Sequence, residues 1–233
     1  MKTIKQVVAA LAVLAIAPSA FASKYMHDGY LGVDLTQTNQ GFKSGYGKGI
    51  FKQNAQEYGA FGGFKFSHHF GVEAGWEQQV KKKRSGASSF ASLDQGHIAP
   101  TGTFNFNSSV KGSHPYLGIF GEMKHHKWKF QAMLGASFSN VKIRAHSLST
   151  TGAPVPSIFT AGNIITGKKN QVVPMVKLNV MHCLTDNFSL RVSANYRNLS
   201  GVKIKIDQDP LQKDRVKLRD TFGLGLGVIY SFH

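Results

Sequence analysis

The chain has 233 residues, and its 28 Lys and Arg against 12 Asp and Glu give a formal charge of +16 at pH 7. A charge of this size requires an anionic neighbour. The single cysteine, Cys183, excludes an intramolecular disulfide. Glycine and phenylalanine are abundant, at 25 and 17 residues, and apolar residues alternate along the chain instead of forming helical stripes. The composition therefore indicates an all-β protein.

The N-terminus has the three parts of an export signal. Lys2 and Lys5 precede an apolar run over residues 7–17, and the small residues Ala20 and Ala22 follow as in a cleavage site. The apolar run is too short to span a membrane as a helix, which needs about 20 residues. We therefore predict a signal peptide over residues 1–22 and a single mature domain over residues 23–233.

The predicted export also limits which anionic partners the positive charge can meet. An exported protein does not meet chromosomal DNA, but it does meet phosphorylated lipid head groups and acidic surface sugars. The charge therefore predicts lipid or polysaccharide partners and no nucleic acid.

Eight segments of about ten residues alternate between large apolar side chains and small or polar ones. In the fifth, Trp128 and Phe130 alternate with Lys129 and Gln131. In the last, large apolar residues from Phe222 onward alternate with glycines. In chain order the segments are residues 28–38, 56–66, 70–79, 112–121, 128–138, 171–182, 188–197 and 220–232. This period of two is typical of strands with one face in hydrocarbon.

The connections between these segments alternate in length. Short ones near residues 67–69, 122–127 and 183–187 are separated by long ones near residues 39–55, 80–111, 139–170 and 198–219. This pattern predicts an eight-stranded antiparallel transmembrane β-barrel of the outer-membrane type, with short periplasmic turns and long external loops. Two alternatives stay open, which are a ten-stranded barrel with an extra hairpin near residues 103–107 and a soluble β-sandwich.

Three stretches resemble the small OmpA/OmpX-type outer-membrane barrels of Gram-negative bacteria. Residues 184–191 resemble the last periplasmic turn and seventh strand of that family, and residues 70–76 resemble its third strand. Tyr230 and Phe232 resemble its aromatic C-terminal strand, although His233 follows them here. The resemblance implies that Tyr230 and Phe232 are a signal for the barrel-assembly machinery. We expect no periplasmic peptidoglycan-binding domain after the barrel.

Several charged residues fall at inward positions of the predicted strands. They are Lys65, Glu73, Glu77, Lys129, Lys177, Arg191 and Arg197. Side chains nearly fill the interior of an eight-stranded barrel, and buried charges must be paired. The sequence therefore predicts either a plug of paired charges or a small anion-biased solute channel of the porin type.

A basic run opens the second long loop, where the outer leaflet begins. It consists of Lys81, Lys82, Lys83 and Arg84. At this level lipopolysaccharide phosphates lie within a Debye length of about 8 to 10 Å. We predict that the run contacts an anionic glycolipid or an acidic polysaccharide, which includes those of a host surface. The expected role is therefore a structural and surface-binding one.

Enzymatic and metal functions are not supported by the remaining motifs. His68, His69, His125 and His126 fall in short turns with His182 nearby, but no further ligands complete a metal site. His146 and Ser147 are adjacent in a predicted loop without an oriented acid, as a lipid A-modifying hydrolase would need. We expect no catalytic residues, metal or cofactor.

Overall fold

The computed structural model describes residues 28–42, 54–90, 93–94, 97–98, 102–151, 164–199, 203–205 and 215–232. The predicted signal peptide lies outside these ranges, as do residues 152–163 of the predicted long connection near residues 139–170, and His233. Within them, no helix has the length and hydropathy needed to cross a membrane.

The described residues form strands joined by turns. In chain order the strands are β1 (Asp28–Phe42), β2 (Asn54–Lys65), β3 (Phe70–Gln79), β4 (Lys82–Phe90), β5 (Leu93–Asp94), β6 (His97–Ile98), β7 (Gly102–His125), β8 (Trp128–Thr151), β9 (Ile164–Cys183), β10 (Phe188–Arg197), β11 (Lys203–Lys205) and β12 (Arg215–Phe232).

Eight of these strands close into a ring. Their order is β1, β2, β3, β7, β8, β9, β10 and β12, and β12 pairs back with β1. Every neighbouring pair is antiparallel, and the closing pair runs from Gly29 opposite Phe232 to Phe42 opposite Leu218, with an irregularity between Gln40 and Phe42. The predicted eight-stranded barrel is confirmed, and the sandwich and ten-stranded alternatives are wrong. Residues 103–107 belong to β7, where they pair with β4 beyond the ring.

The wall is apolar outside and largely polar inside. Exposed outward side chains include Leu35, Leu134 and Leu226, at 70%, 69% and 68% exposure. Aromatic residues stand on the outward face near both ends, with Trp128 and Phe188 at the short-turn end and Tyr58 at the other. An apolar band flanked by aromatic residues is the surface that a bilayer requires of a barrel.

Four strands continue beyond the apolar band as a sheet in the order β4, β7, β8 and β9. Here our prediction was wrong in part. Residues 80–111 and 139–170 were expected to be loops, but residues 82–90, 102–111, 139–151 and 164–170 lie in strands. The alternation continues beyond the membrane, but the two faces exchange their chemistry, so that apolar side chains point inward and cationic side chains point outward. Val141 and Ile143 are buried inside, whereas Lys142 and Arg144 are exposed outside. A prediction that looks for apolar residues facing lipid therefore ends these strands too early.

Candidate functional site

The barrel interior is built around Glu73, whose side chain is fully buried. Its carboxylate accepts hydrogen bonds of 2.7 Å from the hydroxyls of Tyr30 and Tyr116. Arg191 adds a two-pronged contact, with nitrogen to oxygen distances of 3.0 and 3.3 Å. The guanidinium of Arg191 also lies 3.9 Å from the ring centre of Phe61. The charge is thus both paired and hydrogen-bonded, as burial demands.

Lys177 links this centre to two further carboxylates. Its ammonium donates to the Tyr116 hydroxyl at 3.1 Å, to Glu77 at 3.2 Å and to Asp34 at 3.5 Å. These residues come from β1, β3, β7 and β9, so one lysine ties together strands on opposite sides of the ring.

A second pair lies closer to the external end. Arg197 donates to both carboxylate oxygens of Glu57, at 3.3 and 3.0 Å, and also contacts Glu77. His114 lies beside this pair, with its Nε2 3.7 Å from Glu57 and its Nδ1 3.0 Å from the Ser139 hydroxyl. The two arginines and Lys177 therefore each face at least one carboxylate.

The remaining two predicted lumen charges lie at the periplasmic mouth. Lys65 forms an ion pair with Glu122. Lys129 lines a cavity of about 20 Å³ beside this pair. At the other end of the lumen, the inner face of the strand extension is apolar. Apart from Ser108, its buried side chains are those of Phe106, Val110, Val141, Ile143 and Ala145, none more than 4% exposed. The paired charges around Glu73 thus lie between the Lys65–Glu122 ion pair at the periplasmic mouth and apolar side chains at the external end.

Sequence reasoning missed several members of this interior network. Asp34 and Glu57 occupy inward positions of β1 and β2, and both are buried. Asp34 stands between the apolar Val33 and Leu35, which was a usable signal of an inward position, whereas Glu57 follows the polar Gln56 and gave a weaker one. No such signal marked His114, Tyr30 and Tyr116, because neutral and aromatic side chains commonly pack inside a small barrel without a specific role.

A second charged constellation lies outside the barrel, just above the apolar band. Lys111 pairs with Lys142, and Lys142 pairs with Lys168, so three lysines stand in one row across β7, β8 and β9. All three are exposed. Their neighbours Val110, Val141 and Gly167 are buried, which places the lysine row on the outer face.

The next row outward adds two more cations on the same face. Lys83 stands opposite Ser109, and Ser109 stands opposite Arg144. Lys81 lines the same concavity as the lysine row and Arg144, with a volume of about 300 Å³. We call these six cations the outer cationic face: Lys81, Lys83, Lys111, Lys142, Arg144 and Lys168. Within the described chain, no carboxylate forms an ion pair with any of them.

The predicted basic run contributes only part of this surface. Arg84 is exposed but has the opposite parity to Lys83, and the described side chains do not include that of Lys82. The four cations from β7, β8 and β9 were missed because the pairing that gathers them across strands is not visible in a single sequence. The candidate binding site is thus a surface formed by several strands and not a linear run of residues.

The other candidate motifs are placed as follows. His146 lies in β8 rather than in a loop, opposite Asn107 and Ile164. The rings of His125 and His126 are 4.4 Å apart, and His182 packs on Trp128 at 4.6 Å. Among the described residues, no three His, Cys, Asp or Glu side chains are grouped as metal ligands would be.

A closed antiparallel ring with an apolar outer band, aromatic rims and a polar paired interior defines a transmembrane β-barrel of the outer-membrane class. The sequence over residues 7–232 matches the family described as the outer membrane protein beta-barrel domain. The chain belongs to this family, and its place is the outer membrane. The resemblance to small outer-membrane barrels is thereby confirmed.

Solved structures show the same fold at low identity. The outer membrane protease OmpT of Escherichia coli has a TM-score of 0.54 at 11% identity, covering 91% of this chain and 99% of that one. A major outer membrane protein of Thermus thermophilus has a TM-score of 0.52 at 10% identity, covering 88% and 100%. The attachment invasion locus protein Ail of Yersinia pestis has a TM-score of 0.49 at 12% identity, covering 88% and 98%. These likenesses concern the fold alone. No curated protein matches the sequence.

Proposed function

We propose that this protein is a non-enzymatic outer-membrane barrel that binds an anionic surface molecule through its outer cationic face. The ligand carries phosphate, sulfate or carboxylate groups, as an anionic glycolipid or an acidic polysaccharide does. The observation that carries the proposal is the row of Lys111, Lys142 and Lys168.

Like charges directly opposite one another on paired strands destabilise a sheet. Here two such pairs share Lys142, and no described carboxylate relieves them. An anion bound across the row removes this repulsion. One neutral row separates the lysine row from the apolar band, which places the lysines within a Debye length of about 8 to 10 Å of the head groups, so salt does not screen the attraction fully.

The interior supports a structural role rather than the alternative of an anion-biased channel. Arg191, Arg197 and Lys177 would have to attract permeant anions, but each already faces a carboxylate. At the external end, the buried side chains of Phe106 and Ile143 offer a permeant anion no polar contact.

The proposal is tested with refolded mature protein in detergent micelles and a fluorescent sulfated polysaccharide. The triple variant Lys111→Gln, Lys142→Gln, Lys168→Gln is compared with Lys124→Gln, Lys127→Gln, Lys169→Gln, which removes the same charge elsewhere. We expect the first to bind roughly 100-fold more weakly, at about 1 kcal/mol per lysine, and the second to bind nearly as the native chain does. Equal loss in both would mean that only net charge matters, and the proposal would fail.

We also propose that residues 1–22 are removed on export and that Tyr230 and Phe232 direct assembly. Tyr230 is 45% exposed and packs on Phe188 at 5.2 Å, so its ring is available at the periplasmic rim. N-terminal sequencing of the membrane-inserted protein should begin at Ser23. Replacing both aromatic residues by Ala should lower the inserted amount without lowering the amount synthesised.

A further inference from the structure

We propose, in an inference that rests on the proposed function, that the ligand is a lipid-anchored glycolipid with two phosphates, bound side-on against β7, β8 and β9. Its phosphates lie on the lysine row. The lysines there take the place of a divalent cation that would otherwise neutralise the phosphates.

Three layers follow one another on adjacent strands. Lowest are exposed apolar side chains: Phe138 and Val172 stand opposite one another at 53% and 55% exposure, and Leu117 stands one row below them at 56%. Above them is a neutral hydrogen-bonding row in which Ser113 pairs with Asn140 and Asn140 with Asn170. The lysine row comes next, two residues further along each strand, which is about 7 Å.

This order matches a phosphorylated glycolipid from its acyl chains through its sugar to its phosphates. A soluble polyanion would use the lysine row alone and would leave the two lower layers unused. The continuity of all three layers on the same strands therefore favours a ligand that is anchored in the bilayer.

The width of the lysine row indicates how many phosphates it takes. Adjacent strands lie about 4.8 Å apart, so Lys111 and Lys168 are separated by about 10 Å at the backbone. One phosphate monoester carries about −1.5 to −2 at pH 7, less than the three charges of the row. Two phosphates, with Arg144 and Lys83 above them, neutralise the face better than one does.

The face has the chemistry of a replacement for a divalent cation rather than of a site for one. Calcium and magnesium require oxygen ligands, above all carboxylates. The described residues of the outer cationic face offer ammonium and guanidinium groups instead. Binding should therefore persist without divalent cations, and magnesium should weaken it by competing for the phosphates.

The described parts of β1 and β2 lack such a face. Outward positions on β1 and β2 at this level carry Gln37, Asn39 and Gln56, and β12 carries Asp220, which accepts a hydrogen bond from Tyr196. The outer cationic face is thus not repeated on β1 and β2. We expect one discrete glycolipid per barrel rather than a ring of equivalent lipids.

The test counts bound lipid by native mass spectrometry of the full mature barrel, with a chelator present. The probes are lipid A with two phosphates, one phosphate or none, and cardiolipin as a two-phosphate lipid without a sugar. We expect one molecule of two-phosphate lipid A per barrel, weaker retention as phosphates are removed, and weaker retention of cardiolipin.

Lys168→Gln and Lys169→Gln form a matched pair, because these neighbours have opposite facing and the same charge. Lys168 stands in the row, whereas Lys169 stands opposite the buried Val141. Lys142→Gln and Lys168→Gln should each weaken lipid A binding about fivefold, and Lys169→Gln should leave it unchanged. The two row variants should also raise the unfolding temperature of the ligand-free barrel, because repulsion is relieved.

Three outcomes would overturn the inference. Retention that ignores phosphate number, cardiolipin retained as well as two-phosphate lipid A, or binding that requires magnesium would each do so. If the row variants lose the sulfated polysaccharide but keep lipid A, the proposed function stands and this inference fails. If they lose neither, both fail.

Discussion

Glu73 is the residue on which most of the interior contacts converge. Two tyrosine hydroxyls and one arginine share its two oxygens, and Lys177 lies 3.9 Å away. Because these groups are fully or almost fully buried, water cannot replace a lost partner. Each substitution here therefore leaves a group without compensation.

Replacing Arg191 by Met tests this dependence. The change leaves the Glu73 carboxylate without its main counter-charge, and we expect a loss of about 3 to 5 kcal/mol in the free energy of unfolding. Urea titration of the barrel in lipid vesicles measures it. Adding Glu73→Gln should recover part of the loss, because the uncompensated charge is then gone.

The exposed Lys127 provides a control of the same charge, and Lys127→Met should change stability little. A loss as large as that of Arg191→Met would show that net charge, rather than pairing, sets stability. Failure of the double variant to recover would argue against Glu73 as the partner.

Gly75, on the wall strand β3, leaves room for the Tyr116 ring at the same site. A Cβ on Gly75 would lie 2.6 Å from the ring and hydroxyl of Tyr116, which holds Glu73 and contacts Lys177. Gly75→Ala should therefore displace that ring and cost about 1 to 3 kcal/mol.

Gly121 is the matched control, because a Cβ there would meet only ordinary contacts from 3.6 Å. Unfolding midpoints of Gly75→Ala and Gly121→Ala should differ clearly. Coincident midpoints would mean that the Tyr116 ring has room to move.

At the scale of the strand, β8 shows how position along one element sets the environment. Its outward residues run from Trp128 through Leu134 to Asn140 and Lys142, that is, from aromatic to apolar to polar to cationic. The strand thus crosses the bilayer and rises out of it without a break.

Arginine placed along this face should report depth. Leu134→Arg, in the apolar band, should cost about 2 to 4 kcal/mol, whereas Asn140→Arg should cost about 0 to 1 because it lies near the interface. Equilibrium unfolding in vesicles compares the two. Equal costs would place the membrane boundary elsewhere on β8.

Sequence periodicity was sufficient for the wall strands, because facing alternates residue by residue and the bilayer imposes a strong contrast between the two faces. It was sufficient for the inward parity of Lys177 and Arg197 for the same reason. It failed for the lysine row, since Lys111 and Lys168 are far apart in sequence and only the register through Lys142 joins them.

At the scale of the whole molecule, the enclosed charges predict an electrically silent barrel. The correctly folded native chain in a planar bilayer should give no discrete conductance steps, because Arg191, Arg197 and Lys177 are engaged by carboxylates across the lumen. Discrete anion-selective steps that shift in Arg191→Ala and Arg197→Ala would establish a channel instead.

The partners of the charges were less predictable than their inward facing. Parity places a side chain in the lumen but does not say which opposite residue it meets, because that depends on the stagger of eight strands. The pairing of Arg197 with Glu57 is therefore a property of the closed ring and of no single strand.

The pairing of β1 with β12 has a consequence for how the molecule forms. Gly29 and Phe232 are about 200 residues apart in sequence, and this contact comes from joining the first wall strand to the last. Until they meet, each presents a row of unpaired backbone groups that hydrocarbon cannot solvate. Contacts of such long range also slow folding. Entry into the bilayer and closure of the ring must therefore occur together, with the rate set by one late encounter between distant edges.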